Sequence, residues 1–260
     1  MKRRGMLLAG LAAAAAAAPG WSVAAERREA LVIGNGAYPG VPLRNPGNDA
    51  RALAQALRGL GFETRLLLDT GWRQLIEGVQ AFIAQSERAD VRLIFYAGHG
   101  AQVRGRNYLI PVDASMASAD ELTSRSLDAG EILERLSRHR GGLNLLILDA
   151  CRDNPANQYQ LLPDGRRIKV RGAARGLAAM RVPQGAMVAF STSPGSVADD
   201  GIGRDNSLYT RHLVKHIGTP GLALEQMFKR VRVAVMQESA HRQKPWEESS
   251  LTVDYCFAGC

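Results

Sequence analysis

Two stretches of the sequence decide the fold, LIFYAGHG at residues 93–100 and LLILDAC at residues 145–151. Each is a short apolar run with the length of a buried β-strand. Each also ends at a chemically reactive side chain, His99 in the first stretch and Cys151 in the second. Ligands bind at the carboxyl ends of strands in open α/β sheets. If the two strands are neighbours, we expect His99 and Cys151 to face each other across one crevice.

The residues around His99 and Cys151 favour a reactive pair. A thiol needs a base to become a thiolate, and imidazole is the usual partner. Each residue alone has a structural alternative, since a histidine can be satisfied in a turn and a buried thiol packs like a small apolar residue. Gly98 and Gly100 let the backbone turn sharply beside His99, and Cys151 stands directly before the polar run 152–155. The pair therefore predicts a cysteine hydrolase.

Strand and helix patterns alternate through the chain. Asn48 is expected to cap the first helix, and Asp128 opens a later one with Glu131 in a capping-box pattern. Strands are predicted at 30–33, 62–68, 91–97, 108–112, 143–148 and 185–191, helices at 49–60, 72–87, 128–140, 207–217 and 222–237, and an extended segment at 250–257. Strands alternating with helices imply a mostly parallel sheet that is covered on both faces.

The first 25 residues have the pattern of an export signal. A basic start at 2–4 precedes an apolar run over 6–18, and small residues at 23–25 offer a cleavage site before Glu26. The run is short for a membrane span, and an uncleaved anchor is the alternative. Sec and twin-arginine export both stay open. We expect an exported protein, periplasmic or secreted, with one mature domain at 26–260 and no stable membrane span.

The charge distribution argues against nucleic-acid binding. The formal charge of +8 falls to +5 once the three basic residues at 2–4 are removed, and 6% of the residues are aromatic. A nucleic-acid site needs basic residues clustered with aromatic ones on one face. The arginines here are scattered, apart from a group between Arg166 and Arg175. A solvated basic surface is the expected interpretation.

The cysteines are odd in number. Cys256 and Cys260 lie close together near the end of the sequence and could pair in an oxidising compartment. That pairing would leave Cys151 as the single free thiol, either buried and inert or kept for chemistry.

Taken together, the motifs resemble those of the caspase-like cysteine peptidases, in the metacaspase and paracaspase branch. The histidine and the cysteine stand in YAGHG at 96–100 and LDACR at 148–152, about fifty residues apart as in caspases. Agreement extends to LVIGN at 31–35, LRNPGNDA at 43–50, YLIPVD at 108–113 and STSPGSVA at 191–198. The resemblance covers 30–257. It implies a three-layer α/β sandwich with a mostly parallel sheet of about six strands and helices on both faces.

The resemblance also implies a role for each residue that matches the family's motifs. Cys151 would be the nucleophile and His99 the general base, which then protonates the leaving amine. The backbone amides of Gly100 and Cys151 would form the oxyanion hole.

Two aspartates imply a preference for basic substrates. Animal caspases carry Gln two residues before the nucleophile, whereas this chain has Asp149 there. The metacaspase pocket also uses an aspartate at the start of the first helix, which matches Asp49. Two carboxylates would favour Arg or Lys before the scissile bond, and bidentate pairing favours Arg. The structural alternatives are a cap for Asp149 and a helix-dipole contact for Asp49. Asp199 and Asp200 are candidates for a third carboxylate.

The Arg-rich stretch 152–181 is interpreted as a long loop between a large-subunit-like part and a small-subunit-like part at 182–260. The linker after the nucleophile strand is often processed in the family. Five basic residues there would suit an acidic pocket: Arg166, Arg167, Lys169, Arg171 and Arg175. Self-cleavage in this loop is one hypothesis, and a solvated flexible loop is the alternative.

Two other functions stay open at this level. A caspase-like binding or scaffold module would keep the fold without turnover, although the presence of both His99 and Cys151 argues against a decayed site. Another thiol hydrolase, such as a cell-wall amidase, would share the pair. The expected partners are peptide or protein substrates. No cofactor or metal is implied. Many metacaspases need calcium and other relatives do not, and aspartates such as Asp113 form no loop with metal-ligand spacing.

Overall fold

The computed structural model describes residues 26–115, 118–139, 141–150, 177–193 and 204–260, with the backbone of Cys151 and of three short strands between 160 and 174. The predicted export signal at 1–25 lies outside these residues. So do most of the predicted Arg-rich loop and the candidates Asp199 and Asp200.

A mostly parallel sheet forms the centre of the molecule. The strands in the described residues are β1 (Arg28–Gly34), β2 (Glu63–Leu68), β3 (Val91–Val103), β4 (Arg106–Leu109), β5 (Leu127–Asp128), β6 (Leu143–Cys151), β7 (Gln160–Leu161), β8 (Arg167–Ile168), β9 (Ala173–Ala174), β10 (Ala186–Phe190) and β11 (Trp246–Ser249). Six of them follow one another in the order β2-β1-β3-β6-β10-β11. Neighbours are parallel except β11, which pairs antiparallel with β10. The predicted mostly parallel sheet is confirmed.

Helices cover both faces of this sheet. They are α1 (Pro46–Gly59), α2 (Trp72–Gln85), α3 (Ala119–Ser124), α4 (Ala129–Leu136), α5 (Leu208–Ile217) and α6 (Leu224–Glu238). The buried side chains of α1, α5 and α6 pack on one face, and those of α2 and α4 pack on the other. The predicted three-layer α/β sandwich is therefore confirmed. None of the helices in the described ranges is long and apolar enough to cross a membrane.

Strand β1 shows why both faces need a helix layer. Successive side chains of a strand point to opposite faces. Val32 accordingly belongs to the core beneath α1, whereas Leu31 and Ile33 belong to the core beneath α2 and α4. All three side chains are fully buried. Their continuous apolar character is typical of a parallel strand buried on two sides.

Two predicted helix boundaries are wrong. The first helix begins at Pro46, with Asn45 in the cap position, and not after Asn48. Proline fits this place because the backbone N–H groups of the first helical residues have no intrahelical acceptor, so a residue without an N–H loses no hydrogen bond. The helix capped by Asp128 ends at Leu136, before the predicted end near 140.

The last segment of the chain also differs from the prediction. The final strand is β11, and the predicted extended segment at 250–257 instead turns toward the helices. There the Tyr255 carbonyl accepts a hydrogen bond from the Leu224 amide at 2.7 Å, which satisfies one unpaired N–H at the start of α6. Phe257 packs on Phe62, with ring centroids 5.9 Å apart. Capping and packing therefore take precedence over strand formation here.

Candidate active site

Strands β3 and β6 bring the two predicted reactive residues side by side. The strands are parallel neighbours, and their register pairs Ala97 with Asp149, Gly98 with Ala150, and His99 with Cys151. His99 and Cys151 therefore lie on adjacent strands at the same level, as expected from the sequence. Strand β3 does not end at its predicted limit of residue 97, because its last residues pair with β4 in a hairpin.

The ring of His99 is held by backbone and by an aromatic neighbour. His99 is 5% exposed. Its Nε2 lies 2.8 Å from the carbonyl oxygen of Val41, and its ring lies 4.4 Å from the ring of Tyr38, centroid to centroid. Because a carbonyl only accepts hydrogen bonds, Nε2 must carry the proton. The neutral ring then has its lone pair on Nδ1, which is the atom that can accept a proton.

Two buried tyrosines support the backbone at His99. The Tyr38 hydroxyl accepts a hydrogen bond from the His99 amide at 3.0 Å and donates one to the Ile110 carbonyl at 2.8 Å. The Tyr96 hydroxyl lies 2.8 Å from the His99 carbonyl and 2.7 Å from the Ile110 carbonyl. Burial raises the pKa of Tyr96 well above its ordinary value, so its hydroxyl keeps its proton. The tyrosines fix the peptide groups on both sides of His99.

The two glycines beside His99 occupy crowded positions. A Cβ on Gly98 would lie 2.7 Å from the Tyr38 hydroxyl and 2.8 Å from the Tyr96 hydroxyl. A Cβ on Gly100 would lie 3.1 Å from the Ala150 Cβ. Glycine is therefore needed at 98 for close packing. The sharp turn predicted beside His99 is wrong, because β3 continues through both glycines to Val103.

The two predicted pocket aspartates lie around one residue, Ser207, which caps the N-terminus of α5. Asp49 is 1% exposed and Asp149 is 6% exposed. The Ser207 amide donates to Asp49 Oδ1 at 2.9 Å, and the Ser207 hydroxyl donates to Asp149 Oδ2 at 2.5 Å. The structure thus brings together two carboxylates that are far apart in the sequence.

Further donors contact each carboxylate. The Thr210 hydroxyl donates to Asp149 Oδ2 at 2.7 Å, and the Asn206 amide group donates to Asp49 Oδ1 at 2.9 Å. Burial raises the pKa of Asp149, while hydrogen bonds from the hydroxyls of Ser207, Thr210 and Ser191 act in the opposite direction. These donors, which hold the carboxylates in place, are all neutral groups.

Several residues of this site were missed by the sequence reasoning. Ser207 had a signal, because it stands at the predicted start of a helix, but that signal indicates only a cap. Thr210, Tyr38 and Val41 had none, since their contacts join positions distant in the sequence. In the described residues, no group of three or more His, Cys, Asp or Glu side chains is arranged to hold a metal ion.

These observations define a three-layer α/β protein with a histidine and a cysteine at paired positions of neighbouring strands and two buried carboxylates nearby. A family model described as Caspase domain matches residues 27–256. The chain belongs to this family, and the resemblance predicted from its motifs is confirmed.

Two curated proteins are similar over part of the chain. Over 129 residues the chain is 33% identical to the mucosa-associated lymphoid tissue lymphoma translocation protein 1 homolog of Mus musculus. It is also 33% identical over 129 residues to the mucosa-associated lymphoid tissue lymphoma translocation protein 1 of Homo sapiens. Each match covers 49% of this chain and 15% of the relative. The chain therefore matches only a small part of the length of these relatives.

Proposed function

We propose that this protein is a cysteine endopeptidase that hydrolyses peptide bonds after Arg or Lys. The observation that carries the proposal is the register of β3 and β6, which sets His99 opposite Cys151, the last residue of β6. Membership of the caspase-domain family supports the same assignment.

The proposed reaction starts with proton transfer from the Cys151 thiol to His99 Nδ1. The thiolate attacks the carbonyl carbon of the scissile bond, and the amides of Gly100 and Cys151 stabilise the oxyanion. The C–N bond breaks as His99 returns the proton to the leaving amine. A water molecule, deprotonated by His99, then hydrolyses the thioester and releases the acid. The contact between His99 Nε2 and the Val41 carbonyl supports this cycle, because it leaves Nδ1 as the basic atom.

Asp49 and Asp149 are proposed to bind the basic side chain before the scissile bond. Both carboxylates are buried, and both meet the first turn of α5. A buried pair of negative charges favours a cation, and a guanidinium can pair with two carboxylate oxygens at once. We expect Arg to be preferred over Lys for this reason.

The location and the processing of the protein belong to the same proposal. The sequence pattern at 1–25 favours export, and the disulfide between Cys256 and Cys260 suits an oxidising compartment. Self-cleavage in the stretch 152–181 would follow from a preference for basic residues. Fragments in the active protein that are absent in Cys151→Ala would support self-cleavage, and an intact chain after prolonged incubation would exclude it.

Fluorogenic peptides that differ only in the last residue test the function. Peptides ending in Arg, Lys or Asp are incubated with the protein and with Cys151→Ala, with and without calcium. We expect cleavage after Arg and Lys that is lost in Cys151→Ala and His99→Ala. Asp49→Asn and Asp149→Asn should lower kcat/KM for the Arg peptide by about tenfold or more, because each removes one charged partner.

The same experiment separates the alternatives. Cleavage after Asp would overturn the assignment of the acidic pocket. A folded protein that cleaves none of the peptides, with or without calcium, would rule out the peptidase and favour a binding or scaffold module.

A further inference from the structure

A single residue, Ser207, connects the two buried carboxylates of the candidate site. Its backbone amide donates to Asp49 Oδ1 at 2.9 Å and its hydroxyl donates to Asp149 Oδ2 at 2.5 Å. Asp49 stands in α1 and Asp149 in β6, on different elements of the fold. The spacing of the two carboxylates therefore depends on the residue that opens α5.

The orientation of the Ser207 hydroxyl is set by the helix itself. Its oxygen accepts a hydrogen bond from the Thr210 amide at 3.0 Å, which is the N-cap contact of α5. With its oxygen engaged by this amide, the hydroxyl directs its hydrogen to Asp149. Ser207 is 3% exposed and Thr210 is fully buried, so solvent does not compete for these contacts.

Thr210 adds a second donor to the same carboxylate oxygen. Its hydroxyl lies 2.7 Å from Asp149 Oδ2, the atom that Ser207 also contacts. Hydrogen bonds to a charged acceptor are short and about twice as strong as neutral ones. They fix the carboxylate plane while leaving its negative charge for a cation. A rigid surrounding shell of this kind is what keeps a binding site in its productive geometry.

We propose that Ser207 and Thr210, in the first turn of α5, are positioning residues that hold Asp49 and Asp149 at the spacing needed to bind one guanidinium group. The inference rests on the proposed basic specificity and extends it to the choice between Arg and Lys. The planar fork of Arg gains from two carboxylates in fixed positions, whereas the compact ammonium of Lys depends much less on their spacing. Loosening the first turn of α5 should therefore harm recognition of Arg more than that of Lys.

The test compares Arg and Lys peptides in paired variants. Ser207→Ala removes the hydroxyl and Ser207→Thr keeps one. We expect Ser207→Ala to raise KM for the Arg peptide by about tenfold, the loss expected for one hydrogen bond to a charged group, with a smaller change in kcat. KM for the Lys peptide should change by less than about threefold. Ser207→Thr should restore most of the preference for Arg.

Ser118→Ala is the matched control for helix capping. Ser118 caps α3, where its hydroxyl accepts from the Glu121 amide at 3.1 Å. Its loss removes an N-cap as Ser207→Ala does, but it removes no carboxylate contact. We expect Ser118→Ala to leave both KM values unchanged. An equal rise of KM for Arg and Lys peptides in Ser207→Ala would overturn the positioning role.

Direct binding keeps the inference separate from the peptidase assignment. The Arg and Lys peptides are titrated by calorimetry into Cys151→Ala and into Cys151→Ala/Ser207→Ala, with thermal melts to confirm folding. A selective loss of Arg affinity supports the inference even if the native chain shows no turnover. Absence of turnover would count only against the proposed reaction. If the Arg-to-Lys affinity ratio is the same in both proteins, the inference fails whether or not the chain is a peptidase.

Discussion

At the scale of single residues, separate groups support the ring and the backbone of His99. Val41 orients the ring through Nε2, and Tyr38 contacts both the ring and the amide. These contacts are independent of any substrate. The histidine is therefore preorganised, which is how a reacting group avoids the cost of being oriented during the reaction.

Tyr38→Phe tests this preorganisation. The variant keeps the ring against His99 and removes the hydroxyl between the His99 amide and the Ile110 carbonyl. We expect kcat for the Arg peptide to fall by about tenfold with little change in KM, because the histidine loses orientation and the pocket does not change. The unfolding free energy should fall by about 1–2 kcal/mol through the unpaired amide, measured by urea denaturation.

Tyr255→Phe is the matched control. Tyr255 is also buried, but its hydroxyl has no hydrogen-bond partner among the described residues. Its removal should change neither kcat nor stability appreciably. If Tyr38→Phe behaves like Tyr255→Phe, the hydroxyl of Tyr38 does not position His99.

The pH dependence of cleavage reports on Asp149. Burial raises the pKa of its carboxyl, and the Thr210 hydroxyl is one of the groups that lower it. Thr210→Val removes that donor and so raises the pKa further. Because the proposed binding of a basic side chain needs ionised Asp149, we expect kcat/KM to fall as pH drops through this pKa. The acidic limb of the profile should therefore move to higher pH in Thr210→Val.

Thr192→Val supplies the comparison for this pH shift. Thr192 is fully buried, and its hydroxyl has no hydrogen-bond partner in the described part of the chain. The substitution is the same, but it removes no contact with Asp149. Its acidic limb should coincide with that of the unchanged protein. An acidic limb in Thr210→Val that stays in place or moves to lower pH would contradict the role assigned to Thr210.

At the scale of elements, β3 and β6 show how much the sequence can predict. Their apolar runs are continuous because both faces of a parallel strand are buried, so the strands and their reactive ends are visible without a structure. The pairing of His99 with Cys151 follows once the strands are neighbours. The candidate pair was predictable because strand patterning and chemistry coincide at the same positions.

Element α5 shows where prediction from the sequence ends. The helix and its start at Ser207 were expected from local signals. That the same serine joins Asp49 to Asp149 was not expected, since the contact to Asp49 spans 158 positions of the chain. Local propensity and capping rules describe neighbours in sequence. They carry no information on which distant side chains fill the remaining hydrogen bonds of a cap.

Gly98 in β3 allows a test at this scale. Its φ is +155°, and an added Cβ would press on two tyrosine hydroxyls at 2.7 and 2.8 Å. We expect Gly98→Ala to lower the unfolding free energy by about 2 kcal/mol or more and to reduce activity, because relief of the clash displaces the tyrosines that hold His99. Urea denaturation and peptide cleavage measure the two effects.

Gly105→Ala separates crowding from backbone strain. Gly105, in the turn between β3 and β4, has φ of +78° and open space where a Cβ would stand. Only the backbone conformation opposes the substitution, at a cost of about 1 kcal/mol. Activity should be retained. Equal losses of stability and activity in the two variants would refute the crowding explanation for Gly98.

At the scale of the whole molecule, the last residues of the described chain join the amino ends of the strands. The Arg28 guanidinium at the start of β1 donates to the Phe257 carbonyl at 2.8 Å and to the Leu60 carbonyl at 3.1 Å. The disulfide between Cys256 and Cys260 closes this segment on itself. The candidate active site lies toward the carboxyl ends of the parallel strands, at the opposite end of the sheet. The disulfide and the candidate active site therefore lie at different ends of the sheet.

Removal of the disulfide should lower the stability of the protein and leave its catalytic activity unchanged. The disulfide closes a five-residue loop, for which the chain-entropy relation gives about 2 kcal/mol of stabilisation. In a Cys151→Ala background, this disulfide is the only one that a reductant can break, and we expect the reductant to lower Tm. In the same background, Cys256→Ala/Cys260→Ala should have the Tm of the reduced protein, with or without reductant. With Cys151 intact, the double variant should keep its kcat/KM for the Arg peptide at temperatures well below Tm. A proportional loss of kcat/KM in the folded variant would show that the two ends of the sheet are coupled, because neither Cys256 nor Cys260 contributes to the proposed site.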